Sequence, residues 1–364
     1  MKSSIECIRA LSKGRSTDRV LVDLGTFGQG ALQLGSAAGA ALARSGHLRC
    51  LADGQRHNLC MHAPAAIELG SDFLRVGWHR GAGVRTADAV PALSLGLAWL
   101  LGDRDKARLV DAEILALRLP AQAPWPLKVE EEEEQGDDLL VRELDPPIEG
   151  PLGILGVLLG RAALIERLVA SSRSAEALLD WAFSRYAEVY SRVTSGLPER
   201  PHIVWHFDDF LAAPLQVVRE NILPRWRECL REVGDGVLTA MRCDETAWAV
   251  SPELAKAGVQ IVSPVGTPAA SSVASLRDGL PDHVILHGVT DFDALLDALR
   301  GGRAQALIDV AADLAQLWPV IASPRTPLPR RTPLAELAWA TGYLKTLDVG
   351  SSRARREVLA DRKG

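Results

Sequence analysis

The sequence predicts a (β/α)8 TIM barrel of the α/β class, and three observations carry that expectation. Short, fully apolar strand candidates alternate with helical stretches, as in a parallel sheet covered by helices. The strand candidates number eight, which suggests closure. The clearest of them end abruptly in polar residues, as barrel strands do at the face that carries chemistry. The stretch from Pro201 to Glu245 shows this best. The apolar run His202 to Trp205 stops at His206, Asp208 and Asp209, and Val237 to Met241 stops at Arg242, Cys243, Asp244 and Glu245. A helical segment lies between them. A doubly wound open sheet is the alternative, but no Gly-x-Gly-x-x-Gly follows the first strand.

Taken in order, Ile5, Ile8 and Leu11 recur at helical spacing, and Gly14 stands where a helix would end. Val20 to Leu24 is the first strand. The small-residue stretch after it, GTFGQGALQLGSAAGAALARSG, reads as a loop and a closely packed helix. Phe73 to Trp78 is the second strand. From about 80 to 147 the pattern is irregular, and the acidic run Glu130 to Glu134 reads as a solvated turn. A short strand is expected at Ile148, then helices over Leu152 to Ala170 and Ser174 to Arg192, the second capped around Ser172, Ser174 and Glu176. Further strands fall near Ile203, Val237, Val259, Val284 and Val320. Helices fall over Leu215 to Val233, Ser271 to Asp278, Asp291 to Arg300, Ala304 to Leu317 and Pro333 to Leu347.

The 364 residues are expected to form a single barrel domain, 1–364, with an irregular insertion at about 80–147. A net charge of −5 gives nucleic acid no electrostatic reason to bind. No apolar run is long enough to span a membrane, and the polar N-terminus is unlike a secretory signal, so a cytoplasmic protein is expected. Five scattered cysteines fit reduced thiols better than a disulfide framework. His57, Cys60 and His62 could meet one ion, although short clusters of this kind are usually unrelated residues.

Four segments, in this order and spacing, resemble the uroporphyrinogen decarboxylase superfamily, which includes the porphyrin decarboxylase and the corrinoid-linked and coenzyme M methyltransferases. They are TDRVLV after the opening helix, EGPLGILGVLLGRAALIERL, FDDFLAAPLQVVRENILPRW and RTPLPRRTPLAELAWA. The resemblance spans nearly the whole chain. It implies a deep site at the strand carboxyl ends, a small-molecule substrate and a homodimer. In the zinc methyltransferases a His-x-Cys-Gly strand end and a later cysteine hold zinc. The matching positions here are Met241, Cys243 and Thr326, a thioether, a thiol and a hydroxyl, which make a poor tetrahedral zinc site. Cys243 is the retained position, and therefore the metal ligand if any metal is held. The arginine-bearing segment of the porphyrin enzyme is replaced by LGTFGQGALQLG, and its histidine near the last strand by Thr326. A tetrapyrrole tetracarboxylate would find few cations.

Around this frame the catalytic candidates are Asp208, His206 and Cys243. His206 and Asp208 share a face if the strand continues and could form an acid/base couple. The alternatives are a helix cap and a histidine satisfied by backbone groups. Of the adjacent pair Asp208 and Asp209, one could orient a substrate while the other caps a helix or pairs with an arginine. Cys243, beside Arg242, reads as a nucleophile, as one ligand of an altered site with Asp244, Glu245 or His206, or as a small apolar residue. Binding candidates are Asp209, Arg242, Asp244, Glu245, His287, Arg325 and Thr326, with Arg325 as an anion anchor. Together these predict a methyltransferase-like enzyme. It would move a methyl group between a small substrate and a corrinoid or tetrahydrofolate carrier, the former on a corrinoid partner protein, without the standard zinc triad. The alternatives are a decarboxylase or lyase of a small carboxylated substrate, and a non-catalytic partner subunit.

Overall fold

In a computed structural model, eight parallel strands form one sheet with helices between them, a nearly closed (β/α)8 barrel. The structure describes residues 2–24, 48–50, 59–61, 69–76, 100–101, 109–119, 140–144, 146, 148–197, 199–210, 213–233, 236–264, 275, 277–324 and 332–349. The strands are β1 (Leu21–Val22), β2 (Phe73–Val76), β3 (Val141–Leu144), β4 (Ile203–Phe207), β5 (Leu238–Cys243), β6 (Ile261–Pro264), β7 (Ile285–His287) and β8 (Val320–Ala322). Their order in the sheet is β1-β8-β7-β6-β5-β4-β3-β2, so that from β2 to β8 each strand lies beside its sequence neighbour and β1 lies beside β8. A separate antiparallel ribbon joins Leu48–Cys50 to Leu59–Met61. The chain divides into two compact units, one of residues 1–77, 132–144 and 260–364, the other of residues 78–131 and 145–259.

The first unit opens with α1 (Ser4–Leu11). Ser3 accepts from the Glu6 amide while Glu6 reaches back to the Ser3 amide, a reciprocal capping box. Of the predicted stripe, Ile8 and Leu11 are buried and Ile5 is half-buried, Cys7 joins the buried face, and Gly14 follows the helix with φ +64°. Fully buried Leu21, Val22, Val141, Leu144, Ile285, Leu286 and Ile321 make up the strand core. Where the sheet order ends, Asp72 joins β1 to β2. Its amide donates to the Val22 carbonyl, its Oδ2 accepts from the Val22 amide at 2.9 Å, and Arg19, Ser4 and Lys345 surround the carboxylate. The helices α8 (Phe292–Gly301), α9 (Ala304–Gln316) and α10 (Leu334–Thr346) follow the predicted spans closely. Asp291 caps the first through the Ala294 amide.

The second unit holds α2 (Asp111–Ala116), α3 (Pro151–Leu159), α4 (Arg161–Val169) and α5 (Arg173–Ser195), followed by β4, α6 (Leu223–Val233), β5 and α7 (Ser251–Ala257). The single helix expected over Leu152 to Ala170 is two helices, because Gly160 takes φ +84° and ends the first. Ser172 caps α5 as predicted. The helix expected over Leu215 to Val233 carries a π-helical stretch at Val218–Ile222, just before Pro224, which lacks the N–H that a regular turn needs.

One strand lies elsewhere than expected. Ile148 is not in a strand, and the third strand is Val141–Leu144, inside the segment read as irregular. Arg142 and Glu143 hide it in the sequence, yet Glu143 is 1% exposed. The helix expected at Ser271 to Asp278 and the acidic run Glu130 to Glu134 lie wholly or mostly outside the described residues. Among the described residues no helix is long and apolar enough to cross a membrane.

Candidate functional site

In the second unit, β4 and β5 pair with His206 beside Met241 and Phe207 beside Arg242. His206 turns toward the helices. Its ring stacks on Tyr190 and meets Trp226 edge-on, and its Nδ1 lies 2.9 Å from Tyr186 Oη. A hydrogen-bond chain fixes the tautomer. Tyr190 donates to the Trp205 carbonyl and Tyr186 donates to Tyr190, so the Tyr186 oxygen accepts from His206 Nδ1–H. Nε2 is left as an acceptor with no hydrogen-bond partner among the described residues. Complete burial pulls the His206 pKa from its ordinary 6.5 down to about 3. The ring is a neutral core group, unlike the acid/base member expected from the sequence.

Asp208 continues on that face and caps a helix, though not the one following its own strand. It accepts from the amides of Gly153 at 3.0 Å and Leu152 at 3.4 Å, in the first turn of α3. Burial nevertheless raises its pKa well above the usual carboxylate range, outweighing those amides. A Cβ at Gly150 would lie 2.3 Å from the Asp208 carboxyl, so residue 150 must be glycine for the cap to form. Gly150→Ala is expected to destabilise the protein by about 1–3 kcal/mol, the usual range for overpacking, measured as a shift of the urea midpoint without a change of slope. Asp209 pairs with Arg161 at the start of α4. Of the adjacent pair, one therefore caps and the other meets an arginine.

Asp244 is also a cap, accepting from Ala247 N at 2.7 Å and Phe210 N at 3.1 Å. Met241 and Cys243 share the helix-facing side with His206, because paired residues of parallel strands share a face and alternate residues repeat it. Cys243 is fully buried. Its thiol lies 3.8 Å from the Met241 carbonyl, and burial pushes its pKa up. Such a thiol is neither a thiolate nucleophile nor a ready metal ligand. Arg242 stands on the opposite face, half-buried. Glu245 begins a short helix, Glu245–Ala249. Among the described residues no group of three histidine, cysteine or acidic side chains could hold a metal, and a buried thioether and thiol facing helices do not fit zinc. Arg325, Thr326, His57 and His62 lie outside the described residues, as does the side chain of Cys60.

In the first unit the sequence singled out only His287, and the structure gives it partners. Register pairs Leu21 with Ile321, Ile321 with His287, and Val262 with Leu286. His287 and Ser263 thus share one face with Ile321, and Asp23 and Ser323, two residues beyond Leu21 and Ile321, repeat it. His287 Nε2 lies 2.8 Å from Asp23 Oδ2, and Nδ1 lies 3.3 Å from Ser263 Oγ. β7 and β1 are separated by β8, hence by about 9–10 Å. Side chains on them can touch only where they converge, so this face is the concave one. All four residues lie at the carboxyl ends of their strands, the face where barrels carry their sites. With Asp23 ionised, and so only an acceptor, Nε2 would carry the ring proton and Nδ1 would accept from the Ser263 hydroxyl. Gly288 has φ +69°, and a Cβ there would approach Ser263 Oγ to 2.8 Å. Sequence reading missed Asp23 and Ser263. The signal was present in VLVD and IVSP, polar residues closing short apolar strands.

No family model matches the chain, and no curated protein matches its sequence. Among solved structures it is similar to a methyltransferase from Methanosarcina mazei, at 13% identity and a TM-score of 0.58, over 94% of this chain and 98% of that one. A likeness at that identity speaks for the shared barrel fold.

Proposed function

We propose that the chain is a methyltransferase-like enzyme of the uroporphyrinogen decarboxylase type, moving a methyl group between a small substrate and a corrinoid or tetrahydrofolate carrier without zinc. The observation that carries this reading is the Asp23–His287 pair, buried on the concave face at the carboxyl ends of β1 and β7. The barrel's likeness to a methyltransferase supports it.

The chemistry asks for one proton transfer. As the acceptor's heteroatom forms its bond to the methyl carbon, its proton must leave, and in the reverse direction the departing heteroatom must regain one. Asp23 holds the imidazole in one tautomer and orientation, and His287 gives or takes that proton directly or through Ser263. Met241 and Cys243 take no part, since they face the helices. The carrier enters as a second substrate.

The test supplies purified protein with methylated cobalamin or 5-methyltetrahydrofolate and a panel of small thiols, alcohols and amines, and follows methylated product by mass spectrometry. Transfer that falls about 100-fold or more in His287→Gln, the low end of what a positioned base contributes, supports the reading. Carbon dioxide release from small carboxylates without any methyl transfer would replace it with the lyase alternative.

A further inference from the structure

Beyond methyl transfer, we propose that Ser263, His287 and Asp23 act as a serine nucleophile with its base and orienting carboxylate, giving the chain a hydrolytic activity on small activated esters. Three features carry this. The chain of contacts runs carboxylate to imidazole to hydroxyl, at 2.8 Å and 3.3 Å, so that Nδ1 is the nitrogen placed to accept the serine proton. Such sets are recognised by geometry and roles and recur on unrelated folds, and the serine-to-base distance often tightens only when substrate binds.

The second feature is the glycine beside the serine. Any side chain at position 288 would start 2.8 Å from Ser263 Oγ, so the glycine keeps one flank of the hydroxyl clear. The third is Ser323. Its hydroxyl is 0% exposed and has no hydrogen-bond partner among the described residues, and register places it on the face that bears His287 and Asp23. A buried donor without a partner is costly to keep, and it suits the oxygen on which negative charge develops during attack.

The reaction balances with water as the only co-reactant. Ser263 Oγ bonds to the ester carbon while its proton passes to His287 Nδ1, and the carbonyl oxygen takes the negative charge facing Ser323. Collapse breaks the bond to the leaving alcohol, which takes the proton from the imidazolium. Water then adds to the acyl-serine with His287 again as base, releasing the carboxylic acid and restoring the hydroxyl. Ser263 is 7% exposed, so small acyl groups are the ones expected to reach it.

The experiment treats the full chain with a fluorophosphonate, which marks serines activated by a base, and with 4-nitrophenyl acetate. The adduct is expected on Ser263 by peptide mass spectrometry, with an initial burst of nitrophenol. Both should vanish in Ser263→Ala. His287→Gln should lower turnover about 100-fold or more, and Ser323→Ala roughly 100-fold. Circular dichroism and thermal unfolding confirm that each variant is folded. Folded wild-type protein that stays unlabelled, is labelled at another residue, or whose turnover survives Ser263→Ala overturns the proposal. That failure leaves methyl transfer standing, since that reading needs no covalent bond to Ser263.

Discussion

Acidification below pH 6.5 is expected to destabilise the protein through His206 alone by on the order of 4–5 kcal/mol by the time pH reaches about 3. The cause is burial. In the unfolded chain the imidazole takes up a proton near its ordinary value of 6.5, whereas among Tyr186, Tyr190 and Trp226 it resists protonation down to about 3. Each pH unit of that gap is worth about 1.4 kcal/mol. A folded-state pKa below the unfolded one means stability that is fully present above pH 6.5 and lost as pH falls toward the folded value. Urea unfolding at several pH values between 7 and 4 measures the slope. His206→Gln, which does not titrate there, should flatten it. An unchanged slope in that variant would mean the imidazole is solvated.

Asp208 works in the opposite sense over part of the same range. Burial raises its folded-state pKa well above the ordinary 3.8, so its contribution is complete below that value and is lost as pH rises through the folded one. From about pH 4 up to the folded-state value of Asp208, and below 6.5, the two groups oppose each other. Asp208→Asn should therefore make the acid lability steeper, an outcome that a purely structural cap would not produce.

Asp72→Ala is expected to cost about 3–5 kcal/mol, the range for breaking a buried ion pair and leaving its partner charged. Arg19 is 5% exposed and Asp72 2% exposed, and they meet at 2.8 Å. Burial opposes the Arg19 charge, but the hydrogen bond and the negative charge of Asp72, with smaller help from Cys7 and Asp18, together outweigh it and raise the guanidinium pKa. Removing the carboxylate also takes the acceptor from Ser4 Oγ and from the Val22 amide, which ties β1 to β2. Chemical denaturation of Asp72→Ala, Arg19→Met and the double variant measures the coupling. The double variant should be less destabilised than Asp72→Ala, because the buried guanidinium is then no longer left without its carboxylate. Additive losses would show that the two side chains do not act as a pair.

The sequence by itself determined the elements and the barrel class, because both follow from periodicity. Apolar runs of strand length, the capping signal at Ser172, and the break at Gly14 are local, and local rules decide them. It failed at Val141–Leu144, where Arg142 and Glu143 sit in a strand whose surroundings cover even a carboxylate. It pointed to the polar strand tips of β4 and β5, but of Asp208 and Asp209 it expected one to orient a substrate, whereas the first caps a helix and the second meets Arg161.

Only the tertiary structure decided which way those tips face. A one-residue shift in a strand exchanges its two faces, and no local pattern says which face meets helices when both are apolar. His206 and Cys243 therefore read as site candidates from the sequence, while in the structure both are buried on the side that faces helices. Asp23, Ser263 and His287 lie as far as 264 residues apart in sequence. They become neighbours only because parallel strands set side by side bring their carboxyl ends together and curvature makes the side chains on one face converge.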